Sequence, residues 1–114
     1  MAVIPSTGAR IDRPTRKGSA FRVGLRLRNR EDGSAVDISG WTFRAEAAPS
    51  RGAAFALSVD LLTDGTDGRF FVHATATTMA AIEWAGHWTV WRDDTDTPLA
   101  GGTITITDQG LPHV

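Results

Sequence analysis

The chain contains no cysteine. That excludes a disulfide framework, a thiolate zinc site and a cysteine nucleophile, and leaves stability to packing alone. No apolar run approaches the ~18 residues a membrane-spanning helix needs, and the amino terminus has polar and charged residues where a signal peptide needs its apolar stretch. A chain made in the cytoplasm, with no membrane as partner, is the expectation. HExxH, GxSxG and phosphate-loop motifs are missing, as are internal repeats and low-complexity segments. The three histidines, His73, His87 and His113, are scattered, two of them in predicted strands and one at the carboxyl end. Reactive groups do not converge, so no enzyme activity, catalytic residue or cofactor is expected. Two acidic clusters, DGTDG at 64–68 and DDTDT at 93–97, could offer oxygen ligands to calcium. Neither fits the twelve-residue loop with its distal glutamate, and both stand where a hairpin needs a turn, so no metal is expected either.

What is present is an ordinary globular composition on 114 residues, with 41% hydrophobic and 22% charged side chains, which is enough for one core and one domain. The net charge of −1 conceals an asymmetry. Residues 1–30 carry Arg10, Arg13, Arg16, Lys17, Arg22, Arg26, Arg28 and Arg30 against Asp12 alone, whereas residues 31–114 hold four basic and twelve acidic side chains. A chain with a cationic end and an anionic remainder suits nucleic acid, another protein or a copy of itself. No aromatic residue is interleaved with the arginines before Phe21, so nucleic-acid stacking lacks support and protein contact is favoured.

Residues 1–19, broken by Pro5, Gly8, Pro14 and Gly18, show no periodicity and read as an extended basic arm outside the domain, either a disordered terminus or an arm that orders on a neighbouring subunit. From Phe21 the chain alternates: Phe21, Val23, Leu25 and Leu27 on one face, Arg22, Arg26, Arg28 and Arg30 on the other. Turns at Asp32–Gly33 and Ser39–Gly40 precede a second alternating run with Trp41, Phe43, Ala45 and Ala47 on one side. AFALSVDL, the TDGTDG turn and RFFVHATA give two more strands. TTMAAIEW puts Met79 and Ile82 at helical spacing behind capping threonines, which predicts a short helical turn near residues 77–84. HWTVWRDD and GGTITITDQ close the chain as a hairpin with DDTDTPLA as the loop between them, and the glycines of LAGG read as turn-forming. The sum is an all-β, immunoglobulin-like antiparallel β-sandwich of about six to eight strands over residues 20–109, with residues 110–114 as a tail.

Residues 84–91, WAGHWTVW, hold three of the four tryptophans. In a strand from His87 to Arg92, Trp88 and Val90 face one way while His87, Thr89 and Trp91 face the other. Trp88 is the core candidate, Trp84 a lid on one end of the sandwich, and Trp41 a core residue. Trp91, with His87, is expected to be exposed and to meet a partner. A protein is favoured over a sugar stacked on Trp91, Trp84 and His87.

The order of motifs resembles the immunoglobulin-like amino-terminal domain of the phage baseplate upper protein family and related tail-associated sandwiches. The run from Gly18 leads into Asp32, Gly33, Val36, Asp37, Ile38, Ser39 and Gly40; an alanine-rich turn follows, then Ala85, Gly86, Trp88 and Val90, then Gly102 and Ile106. The resemblance spans about residues 18–107. It implies a structural role in a tailed-phage particle, hence location in the virion after synthesis in the host bacterium. The partners it implies are other copies of the chain and other virion proteins. A carbohydrate-binding module and a capsid-surface or head-to-tail accessory protein are the alternatives. The expected contact residues are Arg10, Arg13, Arg16, Lys17, Arg22, Arg26, Arg28, Arg30, His87 and Trp91.

Overall fold

A computed structural model describes residues 2–4, 9–29 and 31–107. Arg30, His113 and the tail at 110–114 lie outside the described residues. Six longer strands form: β4 (Phe21–Leu27), β5 (Phe43–Pro49), β6 (Phe55–Leu61), β7 (Arg69–Ala74), β8 (Ala85–Arg92) and β9 (Thr97–Thr107). The amino-terminal stretch adds three short strands, β1 (Ala2–Ile4), β2 (Ala9–Arg10) and β3 (Arg13–Arg16). One helical turn, α1 (Ala76–Met79), is capped by Thr75, whose hydroxyl accepts from the Thr78 N–H at 3.2 Å. The described residues are all-β with one short helix, which starts one residue before the expected 77–84 turn and ends at Met79.

The strands hydrogen-bond in the order β1-β4-β7-β6-β5-β8-β9-β2, with β3 also on β9. Strands β5, β6 and β7 form consecutive hairpins, and β4 returns beside β7 in antiparallel register, which is a Greek key. Strand β6 turns the corner, pairing β5 through Phe55–Leu57 and β7 through Ser58–Leu61. One continuous sheet thereby folds over itself into two layers. Phe21 of β4 meets Trp88 of β8 edge to face at 5.8 Å, and Phe43 of β5 stacks on Phe70 of β7 at 5.0 Å, so the two layers interdigitate across one core. Leu25, Ile38, Phe70, Val72, Val90 and Ile104 in that core are fully buried.

The second corner is closed by the amino-terminal stretch. Strand β1 runs parallel to β4 on one layer, and β2 and β3 run parallel to β9 on the other. The strands among the described residues of the expected arm therefore lie along both free edges of the chain's own sheet. Pro14, Arg13 and Arg16 then occupy the outermost edge, a composition that discourages further strand addition.

Two glycines make this docking fit. Gly101 and Gly102 sit inside β9, paired with Thr89 and Trp88, and are not the turn that the sequence suggests. A Cβ on Gly102 would collide with the Ile11 carbonyl oxygen and stand 3.0 Å from Asp12 Oδ1, so only glycine lets the amino-terminal stretch lie this close. Strand β9 also carries a bulge: Val90 opposes Ala100 and Trp91 opposes Pro98, leaving Leu99 extra. Leu99 and Ala100 are consequently both buried, which simple alternation would forbid.

Candidate functional site

The register places the expected contact residues on three separate surfaces rather than one. The first is the outer face of the layer containing β4. Arg22 lies over the Phe71 ring at 4.0 Å, and Phe71 packs against His73, which pairs with Asp60 at 2.6 Å. Arg13, brought in by β3, joins Arg22, Gly24, Leu62 and Phe71 around a depression of about 440 Å³. This couples two guanidinium groups to exposed apolar surface, since Leu62 is 39% exposed. Arg26 lies in the same strand and Arg28 just beyond its end, and both are half-buried. Their Nε atoms are buried without a hydrogen-bond partner, and Arg28 Nη1 donates to the Gly33 carbonyl at 3.1 Å. Arg28 thereby braces the turn at 31–34, so it serves this fold as well as any partner.

The second surface is the outer face of β8 and β9. Arg10 and His87 share a shallow depression of about 550 Å³ over the glycine pair. Arg10 Nε also meets Asp12 at 3.1 Å, while Asp12 Oδ1 accepts the Thr103 N–H at 3.0 Å. That backbone donor, then the Thr103 side chain and Arg10, hold the Asp12 carboxyl below the usual carboxylate range. His87 is exposed, as alternation predicts. Trp91 is not: it is half-buried beneath Arg44, whose guanidinium carbon stands 4.2 Å over the ring. Arg44 is in turn fixed by Asp93 at 3.4 Å and Asp96 at 2.8 Å. Arg92 repeats the arrangement, covering Trp41 at 3.9 Å while pairing with Asp94 at 2.8 Å. Trp41 is consequently half-buried at the core's margin. The acidic cluster at 93–96 thus orients two arginines over two indoles. The other cluster works within its own turn: Asp64 accepts from the Thr66 N–H and hydroxyl, and Asp67 pairs with Arg69 at 2.6 Å.

The third surface is one end of the sandwich, where Arg16 and Lys17 meet Trp84. Arg16, Lys17, Glu83 and Trp84 border a depression of about 410 Å³ floored by Met79, Ile82 and Ile106. Trp84 is 74% exposed, the most exposed large apolar side chain among the described residues, and not the lid that the sequence suggests. The reason is local. Strand parity assigns residue 84 to the inward set with Gly86 and Trp88, but the strand starts at Ala85, and the bend at Glu83–Trp84 swings the ring outward. The Trp84 carbonyl stays in the fold, accepting from the Ile106 N–H at 2.8 Å. Trp91 and Trp84 sit at opposite ends of β8, roughly 23 Å apart at ~3.3 Å per residue. They form no common platform for a sugar.

Trp88 is the core residue that alternation predicts, 1% exposed, and its indole N–H donates to the Ile11 carbonyl at 3.0 Å. The bond ties the amino-terminal stretch to the centre of the domain. Nothing in the local sequence announces it, because Ile11 and Trp88 are distant along the chain.

No family model matches the chain. No curated protein matches it. Among solved structures it is similar to the N-terminal domain of phage TP901-1 ORF48, at 7% identity over 94% of this chain and 98% of that one, with a TM-score of 0.44. It is also similar to AggA, the major subunit of aggregative adherence fimbriae type I from Escherichia coli, at 11% identity over 83% of this chain and 90% of that one, with a TM-score of 0.30. In structure, then, the chain bears a remote likeness to a domain of a phage protein.

Proposed function

We propose that this chain is a non-enzymatic structural component of a tailed-phage or phage-derived particle, associated with the tail or baseplate and present in several copies. The observation that carries the reading is the order of motifs from Gly18 to Ile106, which resembles the baseplate upper protein family. Each motif has a physical task here. Gly33 takes a positive φ of 73° in its turn, and Ile38 is fully buried. Gly86 admits the Ala48 carbonyl, and Trp88 anchors the amino-terminal stretch. Cations beside apolar surface, as at Arg13, Arg22, Leu62 and Phe71, suit docking onto acidic protein, where charge steers encounter and sets register more than it adds affinity.

Light scattering across protein concentration and salt tests the reading. The expected result is a mass that rises with concentration at low salt and falls at high salt. A chain that is monomeric throughout, with tryptophan emission quenched by oligosaccharides, would overturn the reading in favour of a carbohydrate-binding module.

A further inference from the structure

We propose that copies of this chain join end to end, the Trp84 end of one copy seated on the acidic end of the next. The inference rests on the reading above that the chain contacts copies of itself, and it names the faces.

The two ends of the sandwich differ in chemistry. At one end the bend at Glu83–Trp84 lies beside the β5–β6 loop, where the Ser50 N–H and hydroxyl both donate to the Ala85 carbonyl. The same end holds the turn after β3, where the Lys17 N–H donates to the Thr107 carbonyl. Trp84 stands as a shared wall between two depressions of about 410 and 450 Å³, one edged by Arg16 and Lys17, the other by Arg51 and Pro49. An indole this exposed among three cations and a single carboxylate, Glu83, is unusual for a solvated surface and suits an interface centre.

The opposite end, about 25 Å away along the strands at ~3.3 Å per residue, is built from three turns. They carry three carboxylates in residues 31–40, two in 62–68 and three in 93–96, with no cation among their own residues. The turns are joined to one another: the Ile38 N–H donates to the Gly65 carbonyl, and the Asp93 N–H to the Thr42 carbonyl. Arg44, Arg69 and Arg92 engage Asp67, Asp93, Asp94 and Asp96, and Arg28 donates to the Gly33 carbonyl, so the eight carboxylates of this end outnumber the arginines beside them. Among the described residues, Asp32, Asp37 and Asp64 accept from Ser34, Ser39 and Thr66 in their own turns and pair with no arginine, and all three are exposed. Side-chain and backbone donors of those partners hold all three below the usual carboxylate range.

A cationic, indole-bearing end and an anionic end on one molecule are complementary to each other and not to themselves. An isologous pairing would set like charge against like; a heterologous one matches them and propagates into a ring or a filament.

Two variants test this, each blocked at one end. Trp84→Ala removes a ring the core does not use. The triple change Asp32→Asn, Asp37→Asn and Asp64→Asn removes charge while keeping the oxygen that each turn uses as acceptor. The full chain should grow in mass with concentration. Each variant alone should self-associate at least about tenfold more weakly, the effect of removing one central contact. Mixed, the two should form one-to-one dimers and nothing larger, since only one competent interface remains. No dimer in the mixture, or a Trp84→Ala chain that assembles like the parent, overturns end-to-end joining and leaves the reading above intact. A parent chain that stays monomeric overturns self-contact and end-to-end joining together. Oligosaccharide quenching of the Trp84 contribution in monomer, or a change in it on removing residues 108–114, would assign the ring to sugar or to the chain's own end. Either result overturns the proposal.

Discussion

Replacing Gly102 with alanine isolates the device that holds the amino-terminal stretch. Glycine within a strand is ordinarily a weakness of roughly 0.5–1 kcal/mol relative to alanine, so the substitution should stabilise an unconstrained strand. Here the new methyl would enter the space of the Ile11 carbonyl, whose oxygen accepts the Trp88 indole N–H at 3.0 Å. The obstacle is backbone, which cannot swing aside like a flexible side chain. Displacing it breaks the bond from the Ile11 N–H to the Gly101 carbonyl at 2.7 Å, about 1 kcal/mol, and strands a buried indole N–H, about 1–3 kcal/mol. The expected loss is about 2–4 kcal/mol, read as a lower urea midpoint with unchanged slope. A Trp88→Phe background separates the parts: with no indole N–H to strand, Gly102→Ala should cost about 1–3 kcal/mol less there. A cost below about 0.5 kcal/mol in the full chain, or an equal cost in both backgrounds, would refute the reasoning.

Other positions give sharp outcomes. Gly68 has φ of +75°, and a Cβ there would lie 2.5 Å from the Leu27 carbonyl oxygen and 3.0 Å from that of Val36, so Gly68→Ala should cost at least about 2 kcal/mol in a denaturant titration. Arg44→Gln should uncover Trp91, shifting tryptophan emission to the red while costing no more than about 1 kcal/mol of stability. The Asp12 carboxyl, held below the ordinary value of about 3.9, supports β2 and β3 through the Thr103 N–H. A depressed carboxylate stabilises the fold fully above its unfolded value and loses that contribution as pH falls through its folded one. The protection of the Thr103 amide from hydrogen exchange, relative to its unfolded rate at the same pH, should therefore fall below about pH 4, and Asp12→Asn should flatten that dependence.

The strands with one buried face were legible because side-chain alternation is set by the backbone and needs no knowledge of the partner. Phe21, Val23, Leu25 and Leu27 all point inward as the pattern requires. Residues 9–16 were illegible because their hydrogen bonds go to β9, far along the chain, and Pro14 and Gly18 mimic the punctuation of a loop. Gly101–Gly102 misled for a related reason: glycine serves a turn and a close backbone approach equally well, and only the incoming Ile11 distinguishes them. Trp84 precedes the strand, and the bend at Glu83–Trp84 that turns its ring outward instead of over the end of the core has no mark in the local pattern. Trp91 was correctly put on the outward face, but Arg44, which covers it, comes from a neighbouring strand that the local pattern does not contain. The contact residues were recognisable as cations; their division among three surfaces depends on which way each strand runs.

The central claim, a structural role in a phage particle, is met most directly by the protein composition of particles released from the bacterium that carries the gene. Quantitative mass spectrometry of purified, salt-washed particles should find this chain at a fixed ratio of several copies per particle. Its absence from such particles, in cells that demonstrably synthesise it, would contradict the account.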